Sequence, residues 1–599
     1  MALLSGVCCY SVYISIYKKM TVCDHHIMEE KFCRGCNMSF TIEARDFEFY
    51  DKMGIQAPPY CPDCRFKRRA LWRNERTLYR RTCQMEGCGK SIITMYHERN
   101  PHPVYCNDCW FSDKWDARDY GLEYDTSRPF FDQLGELLRT VPQTATYASN
   151  AMGPNINSEY TNFAGANKDC YLIFNSGPSN ENVGYSRGLM FCKDSYDLYF
   201  ARNIERCYDL INSNKCAGVR FGHNVTDCLD SWFLMNCSGC SNCFGCVNLR
   251  NGQYQFFNEQ LSKEEYRARV EEIVGSHQKI EEAKRKFYDH ILKFPLRANQ
   301  NLKSVNSDGD YLMETKDCHH CFEVGDAENV SYAFSSRGGL KDCMDVLGHG
   351  RKTELMHDVV DAGLGSRIVA SWWSENSNNI EYSFAIRGSV SDALGCVSIK
   401  NAKFCILNKQ YPEEDYRSLR EHIVNELKEL GVYGSFIPPT YAFFAYNETV
   451  GQDNLPMSKD EALAQGFKWE DNLPETRGQE TLTADQIPDN ILVVTDGILK
   501  ETLACINCGR NYRLTPAELA FYRDMSLPVP RVCWNCRFTD RIHRRGPMKL
   551  YGRTCAKCNK EIKTSFAPRP PAPDGTTDGG QANRPEIVYC EQCYQQEVV

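Results

Sequence analysis

Sixteen cysteines near the two ends of the chain have the residue type and spacing needed to bind metal. They form eight close pairs, four pairs near each end. Two such pairs can hold one tetrahedral ion through four thiolates, an arrangement typical of structural zinc. The sequence therefore predicts about four Zn²⁺ ions, held by Cys33, Cys36, Cys61, Cys64, Cys83, Cys88, Cys106, Cys109, Cys505, Cys508, Cys533, Cys536, Cys555, Cys558, Cys590 and Cys593.

The two cysteine clusters are copies of one another. A constant offset of 472 residues carries Cys33, Cys36, Cys61, Cys64 and Cys83 onto their C-terminal counterparts. Each copy ends in a further pair that follows a Val-Tyr dipeptide. Because every coordination position is filled by a protein thiolate, no position is left for a substrate, and we expect structural rather than catalytic metal.

The residues between the cysteines show a family resemblance. The pattern comprises Cys33-x2-Cys36, Phe40-Thr41, Glu43, Phe49-Tyr50, Gly54, Pro58 and Cys61-x2-Cys64-Arg65. It resembles the probable zinc-ribbon domain family. The copy from Cys505 to Arg537 resembles it too, with Ser526 where the family has glycine. The layout with ribbons at both ends is similar to large uncharacterised bacterial proteins, which implies a metal-binding fold and no activity.

Arginines follow the second cysteine pair of each module, interleaved with aromatic residues. Phosphate contact together with base stacking requires this combination. The pattern predicts a surface for RNA or for a protein partner. The alternative is that the arginines offset the negative charge of the thiolate sites and that the modules only stabilise the fold. The candidate residues are Arg65, Arg69, Arg73, Arg81, Arg537, Arg541, Arg545 and Arg553.

Two further groups in the middle of the chain could bind metal. Cys237, Cys240, Cys243 and Cys246 are evenly spaced, as in part of a ferredoxin run, and predict either an additional metal or iron–sulfur site or cysteines that fill tight turns. The segment Asp317-Cys318-His319-His320-Cys321 is the second candidate, with ladder packing as its alternative.

Evidence for catalysis is sparse. The chain has no P-loop, no Gly-x-Ser-x-Gly and no Rossmann glycine run. A carbohydrate-active site is the alternative, because Asp197, Asp209, Asp230 and Asp345 lie at related positions of a repeat. Their repetition is more typical of turn residues. We therefore predict a non-enzymatic scaffold with no catalytic residue and identify no small-molecule substrate.

Size and composition indicate several domains in a reducing compartment. The chain has 599 residues, a net charge of −8 and 33 cysteines, too few for a disulfide scaffold of this length. We expect a cytoplasmic location without a membrane partner. Met1–Tyr17 is apolar but shorter than a membrane span, and we interpret residues 1–19 as a tail or an untranslated start, with a membrane anchor as the alternative.

The central region is duplicated. Cys246-Val-Asn-Leu-Arg-Asn recurs 150 residues later as Cys396-Val-Ser-Ile-Lys-Asn, and an Asp/Asn–small residue motif repeats about every 12–13 residues. Such repeats are typical of stacked coils. We predict a mainly β chain whose core is a duplicated β-solenoid with two strands per coil, or a β-sandwich, closed by helices at Ser262–Asp289 and Pro412–Leu430.

The predicted organisation places a double zinc-ribbon module on each side of this core. A proline-rich flexible loop, Ala567–Pro585, interrupts the last ribbon. The predicted segments are an N-terminal extension (1–31), a double zinc ribbon (32–118), a helical connector (119–158), the first β-repeat half with its capping helix (159–295), the second half with its capping helix (309–432), a linker (433–500) and a second double zinc ribbon (501–599).

Overall fold

The computed structural model describes residues 12–13, 19–23, 26–147, 153–567 and 586–599, with side chains described from Met28 onward. The predictions for residues 1–19 and for the loop after Ala567 therefore lie almost wholly outside the described residues. Within these ranges, no helix combines the length and the apolar composition that crossing a membrane requires.

The N-terminal part consists of short hairpins and four helices. Its strands are β1 (Val12–Tyr13), β2 (Lys19–Cys23), β3 (His26–Phe32), β4 (Ser39–Ile42), β5 (Tyr79–Thr82), β6 (Ser91–Thr94), β7 (Val104–Tyr105) and β8 (Gln143–Thr144). Its helices are α1 (Ala44–Met53), α2 (Pro62–Ala70), α3 (Asn107–Phe111) and α4 (Phe130–Thr140), with a 3-10 turn at Ala117–Tyr120.

The first half of the core runs from β9 to β19. Its strands are β9 (Thr161–Ala164), β10 (Asn167–Lys168), β11 (Tyr171–Ser176), β12 (Asn180–Met190), β13 (Lys193–Glu205), β14 (Tyr208–Ala217), β15 (Arg220–His223), β16 (Trp232–Met235), β17 (Gln255–Phe256), β18 (Glu259–Gln260) and β19 (Pro295–Arg297). Its helices are α5 (Lys263–Glu271) and α6 (His277–Ile291).

The second half of the core follows the same plan. Its strands are β20 (Gly309–Asp310), β21 (Met313–His319), β22 (Cys321–Phe322), β23 (Gly325–Ser331), β24 (Arg337–Leu347), β25 (Thr353–Gly363), β26 (Ser366–Val369), β27 (Trp372–Glu375), β28 (Ser377–Glu381), β29 (Phe384–Ile386), β30 (Val390–Leu394), β31 (Lys403–Ile406) and β32 (Lys409–Gln410). Helix α7 (Glu413–Glu429) ends it.

The C-terminal part repeats the hairpins and helices of the N-terminal part. Its helices are α8 (Val450–Asn454), α9 (Lys459–Ala464), α10 (Pro516–Asp524), α11 (Trp534–Arg545) and α12 (Glu591–Val598). Its strands are β33 (Leu503–Ala504), β34 (Asn511–Tyr512), β35 (Tyr551–Thr554), β36 (Glu561–Thr564) and β37 (Ile587–Tyr589), with 3-10 turns at Pro439–Tyr441, Tyr446–Glu448, Ile491–Val493 and Asp496–Lys500.

The mainly β solenoid predicted from the repeats is confirmed. Neighbouring coils pair in parallel at a step of 12 or 13 residues in both halves, as in Tyr196 opposite Tyr208 and Tyr171 opposite Gly184. The coils differ from the predicted two strands each. Strands β12 and β13 pair over almost their whole lengths, so each of them follows nearly a complete coil.

Each coil is built from three-residue steps. From Val183 to Cys246 every third residue is buried, and the residue before each of these has a positive φ. Aspartate, asparagine and glycine occupy many of these left-handed positions, because they tolerate that backbone conformation best. Four left-handed residues in each 12-residue coil turn the chain four times. The Asp/Asn–small motif of the sequence is thus a left-handed corner followed by an inward-facing residue.

Asn242 provides a test of this corner geometry. Its φ is 51°, and its side chain makes no hydrogen bond to any part of the chain that the structure describes. We expect Asn242→Ile to lower the free energy of unfolding by about 1–2 kcal/mol, because a β-branched residue is strained at positive φ. Chemical denaturation measures the change. Asn242→Gly is the matched control; an equal loss in both variants would contradict the conformational explanation.

The helices at the ends of the halves begin where the sequence predicts. Ser262 caps α5 and forms the predicted capping box with Glu265. At equivalent positions, Tyr266 of α5 packs on Tyr254 and Tyr416 of α7 packs on Phe404, with ring centroids 5.8 and 5.6 Å apart. Each helix therefore covers the last coil of its half.

The first part of the predicted linker is packed into the protein. Phe436 lies 5.9 Å from Trp72 between ring centroids, and Phe444 stacks on Tyr96 at 5.3 Å. Both partners belong to the N-terminal part, so the chain after the second half returns to cover it. Further along the predicted linker the chain forms the short helix α9.

Candidate metal centres and the arginine–carboxylate interfaces

Four groups of four cysteines bring their sulfur atoms together. In each group the Sγ atoms lie within 4.8 Å of one another, and the groups contain the sixteen cysteines predicted as ligands. The Sγ···Sγ separations are 3.7 Å for Cys36 and Cys61 and 3.8 Å for Cys508 and Cys533. A tetrahedral ion with Zn–S bonds of about 2.3 Å requires sulfur atoms about 3.8 Å apart. The thiol groups fit a zinc-sized ion.

A helix begins at the second pair of every group. Cys61, Cys106, Cys533 and Cys590 are the N-caps of α2, α3, α11 and α12. A helix N-terminus stabilises a thiolate through its free N–H groups and its dipole. Hydrogen bonding with Cys64 lowers the pKa of Cys61 to about 5. A metal at these sites would therefore fix the start of each helix.

Helix α2 carries its arginines onto the second half of the solenoid. Arg65 donates to Asp345 at 2.7 Å, and Arg69 contacts Asp345 at 3.0 Å and Asp358 at 2.8 Å. The two arginines expose 3% and 1% of their surface. Burial alone would raise the pKa of Asp345, but Arg65 and Arg69 outweigh it and hold that pKa below its usual value.

Helix α11 makes the equivalent contacts with the first half. Arg537 donates to Asp197 at 2.9 Å, and Arg541 contacts Asp197 at 2.8 Å and Asp209 at 3.7 Å. Arg544 adds an ion pair with Asp209 at 2.6 Å. The modules thus dock crosswise, the N-terminal one on the second half and the C-terminal one on the first.

A tyrosine completes each interface. The Tyr332 hydroxyl donates to Asp46 of the N-terminal module at 3.1 Å, and the Tyr185 hydroxyl donates to Glu518 of the C-terminal module at 2.7 Å. Asp46 and Glu518 are related by the same offset as the cysteines. Corresponding residues of the two modules and of the two halves therefore make corresponding contacts.

The spacing of the arginines matches the spacing of the coils. Residues four apart on a helix rise about 6 Å, and adjacent strands lie about 4.8 Å apart. Asp197 and Asp209 occupy left-handed corners of successive coils, as do Asp345 and Asp358. An arginine at every fourth position can therefore meet a carboxylate on each successive coil.

These contacts change the interpretation of the arginines. Arg65, Arg69, Arg73, Arg541 and Arg545 are buried, and Arg537 is largely covered. All six form ion pairs with carboxylates of the chain itself, so the predicted surface for RNA or a partner is not formed by them. Arg81 and Arg553 are half-buried and donate to the carbonyl oxygens of His97 and Glu586.

A chain of alternating charges joins both modules to both halves. Arg73 contacts Asp361 and lies 2.7 Å from Glu75; Glu75 lies 2.7 Å from Arg187. Arg187 then approaches Glu323 at 3.5 Å, and Glu323 pairs with Arg545 at 2.7 Å. Burial alone would raise the pKa of Glu75, but Arg187 and Arg73 lower it to about 2.

Acid is expected to destabilise the protein below pH 6.5, because buried histidines must remain neutral. His102 is fully buried between Tyr96 and Phe443, and neither ring nitrogen has a hydrogen-bond partner among the described residues. Burial lowers its pKa from 6.5 to about 3. Stability from this group is complete above the unfolded pKa and is lost as the pH falls toward 3. Glu75 adds a loss below about pH 4.5.

Denaturant midpoints measured between pH 7.5 and 4 test this expectation. In His102→Phe, which keeps an aromatic ring in the same place, the loss of stability between pH 6.5 and 4 should be smaller than in the parent protein. Identical slopes for the two proteins would contradict the assignment.

The four-cysteine run of the first half does not form a preformed metal group. Among the described residues, only the four terminal clusters bring three or more potential ligand atoms within 4.8 Å of one another. Cys237, Cys240, Cys243 and Cys246 are the four buried inward-facing residues of one coil, and their thiols donate to backbone carbonyls, as Cys237 does to Cys246 at 3.3 Å. Their spacing of three is that of the solenoid interior.

The other candidates also have structural partners. Cys318 and Cys321 are buried inward-facing residues, and the imidazole of His319 lies 3.1 Å from Asp308. Of the aspartates considered for carbohydrate chemistry, Asp197, Asp209 and Asp345 bind the arginines of the modules. Asp230 is exposed at a left-handed corner.

Several residues of the interfaces were not identified from the sequence. They are Asp46, Glu518, Tyr185, Tyr332, Asp358, Asp361, Glu75, Arg187 and Glu323. The equivalence of Asp46 with Glu518 was visible at the 472-residue offset, and that of Tyr185 with Tyr332 lies close to the repeat of the core. No sequence signal connects Glu75, Arg187 and Glu323, which come from separate regions.

Comparisons with known proteins show no family for this chain. No family model matches it, and no curated relative matches it. Among solved structures, UDP-N-acetylglucosamine acyltransferase from Campylobacter jejuni aligns with 9% identity over 49% of this chain and 99% of its own. The TM-score of that alignment is 0.08, so it carries no argument. What the structure shows is a β-solenoid with four potential metal-binding cysteine groups that are consistent with zinc-ribbon-like modules.

Proposed function

We propose that the metal in all four cysteine groups is zinc and that its role is structural. The observation that carries this proposal is the position of two groups, directly at the N-termini of α2 and α11. Each of these helices carries the arginines that bind one half of the solenoid. Four thiolates would occupy every position around the ion, which favours a clamp over a catalytic centre. We assign no catalytic residue.

We further propose that the assembled chain is a rigid scaffold for a protein partner, bound through the outer hairpins β5–β6 and β35–β36. Each hairpin carries an exposed cation, Arg80 on β5 and Lys563 on β36. Nearby exposed carboxylates give the surface both signs of charge: Lys90 pairs with Asp108. A mixed surface suits a protein better than the continuous basic surface that RNA requires.

Two measurements test the proposal. Elemental analysis of protein purified without added metal should find about four zinc ions per chain; fewer than two, or mainly iron, would refute the structural-zinc assignment.

Cross-linked capture from native cells should recover a protein that is lost when Arg80 and Lys563 are replaced by glutamate. Capture of RNA with a steep salt dependence would instead support nucleic-acid binding. Matched replacement of Arg285, exposed on α6, is the control.

A further inference from the structure

A cavity of about 600 Å³ lies between the first half of the solenoid, helix α6 and the C-terminal module. This volume is within the range of small-molecule sites. One wall is aromatic: Phe221 and Phe233 stack with centroids 4.6 Å apart, and Phe287 of α6 lies 5.7 Å from Phe233. Phe233 and Phe287 expose only 1% and 5% of their surface, so the half-buried Phe221 supplies most of the apolar surface that a ligand could reach.

With one exception, the lysine and arginine side chains and the buried carboxylates that line this cavity are paired; the exposed Asp289 has no ion pair among the described residues. Asp209 is held by Arg544 at 2.6 Å. Asp310 accepts hydrogen bonds from the backbone N–H groups of Gln300 and Tyr311 and from the Ser565 hydroxyl. His223 interacts with the Tyr311 hydroxyl at 3.0 Å, and burial lowers its pKa to about 3, so it is neutral near pH 7.

Lys284 is the exception. It projects from α6 into the cavity wall and has no hydrogen bond or ion pair with any described residue; its nearest aromatic contact is the Phe221 ring, 6.0 Å from Nζ. Burial alone would lower the pKa of Lys284, but Tyr288 and Asp209 outweigh it, so the ammonium stays charged. A largely enclosed cation without a partner leaves room for an anion.

A second cavity offers no such group. It has a volume of about 590 Å³ and lies between the two modules, lined in part by Arg76, Arg510 and Arg545. Each of these arginines already contacts a carboxylate of the chain. An incoming anion would have to displace that carboxylate, so this cavity does not favour charged ligands.

We propose that the cavity beside α6 binds a small organic carboxylate with an aromatic body. The acidic group would pair with Lys284, and the body would lie against Phe221 and Phe233. The proposal is independent of the scaffold function, because Lys284, Phe221 and Phe233 belong to neither hairpin, although Ser565 and Phe566 directly after β36 also line the cavity.

Isothermal titration of the intact chain with 2-naphthoate and its neutral analogue 2-naphthamide tests the proposal. We expect saturable binding of one naphthoate per chain and about tenfold weaker binding of the amide, because only the carboxylate pairs with the ammonium. Lys284→Met should weaken naphthoate by about tenfold and remove the preference for the acid. Lys286→Met, exposed on the same helix, is the matched control and should change the affinity less than about twofold.

Phe221→Ala is a second variant, which does not alter the charge. It should weaken both ligands by about fivefold, since it removes part of the apolar wall. The proposal is overturned if neither ligand binds saturably, if acid and amide bind equally, or if Lys284→Met behaves as Lys286→Met does.

Discussion

Removing the metal should release helices α2 and α11 from the solenoid. Structural zinc contributes about 10–16 kcal/mol in small modules, far more than the docked arginines can supply once the helix start is no longer fixed. Trypsin cleaves after arginine and lysine, and Arg65, Arg69 and Arg73 are buried in the docked state. Chelation should therefore make the chain cleavable within α2 and lower the melting temperature, and added zinc should reverse both changes.

Single-site variants make this test specific. Cys36→Ser should expose the tryptic sites of α2 and leave α11 protected, whereas Cys508→Ser should have the opposite effect, because each cysteine belongs to one group only. The two variants serve as controls for each other. If α2 and α11 stayed protected from trypsin after complete removal of metal, shown by elemental analysis, the metal would not be what holds these helices on the solenoid.

Removing Arg69 should cost about 3–5 kcal/mol, because Asp358 is left buried without a cation. Removing Arg541 should cost less, because Asp197 and Asp209 keep Arg537 and Arg544. Arg69→Met and Arg541→Met make equivalent changes in the two modules, and both side chains are almost completely buried. Arg285→Met, an exposed position on α6, should change the free energy of unfolding by less than about 0.5 kcal/mol. Equilibrium denaturation measures all three variants.

A double variant separates the charge from the packing. Asp358 accepts from Arg69 and from the Phe436 N–H, so Asp358→Asn keeps a polar group for the backbone and removes the charge. We expect Arg69→Met with Asp358→Asn to be more stable than Arg69→Met alone. If Arg69→Met alone were as mild as Arg285→Met, the interface would not depend on its ion pairs.

The metal groups were predictable because each pair of ligands lies within a short stretch of sequence. Two residues separate Cys33 from Cys36, and the same spacing recurs at Cys61 and Cys64, so each pair is recognisable from four consecutive residues. The cap of α5 at Ser262 is likewise a signal within one helical turn. In both cases the chemistry is complete within a short stretch of chain.

The carboxylates that the arginines bind could not be predicted from the sequence in this way. Arg65 and Asp345 are 280 residues apart, and nothing in either neighbourhood specifies the other. Spacing of four residues was visible, but a row of cations on a helix suits phosphates and carboxylates equally. The predicted recurrence of 12–13 residues is the repeat of the coils. The three-residue step within each coil was not recognised, because tyrosine, phenylalanine and lysine also occupy left-handed corners.

The crosswise docking has a consequence for synthesis of the chain. Helix α2 leaves the ribosome long before Asp345 and Asp358, the groups that it binds, have been translated. Until then a nascent chain displays an unneutralised cationic helix, and only completion of the second half can cover it. In molecules truncated within the core, the arginines of α2 would stay exposed. Quality-control factors could then recognise incomplete chains by these exposed cations.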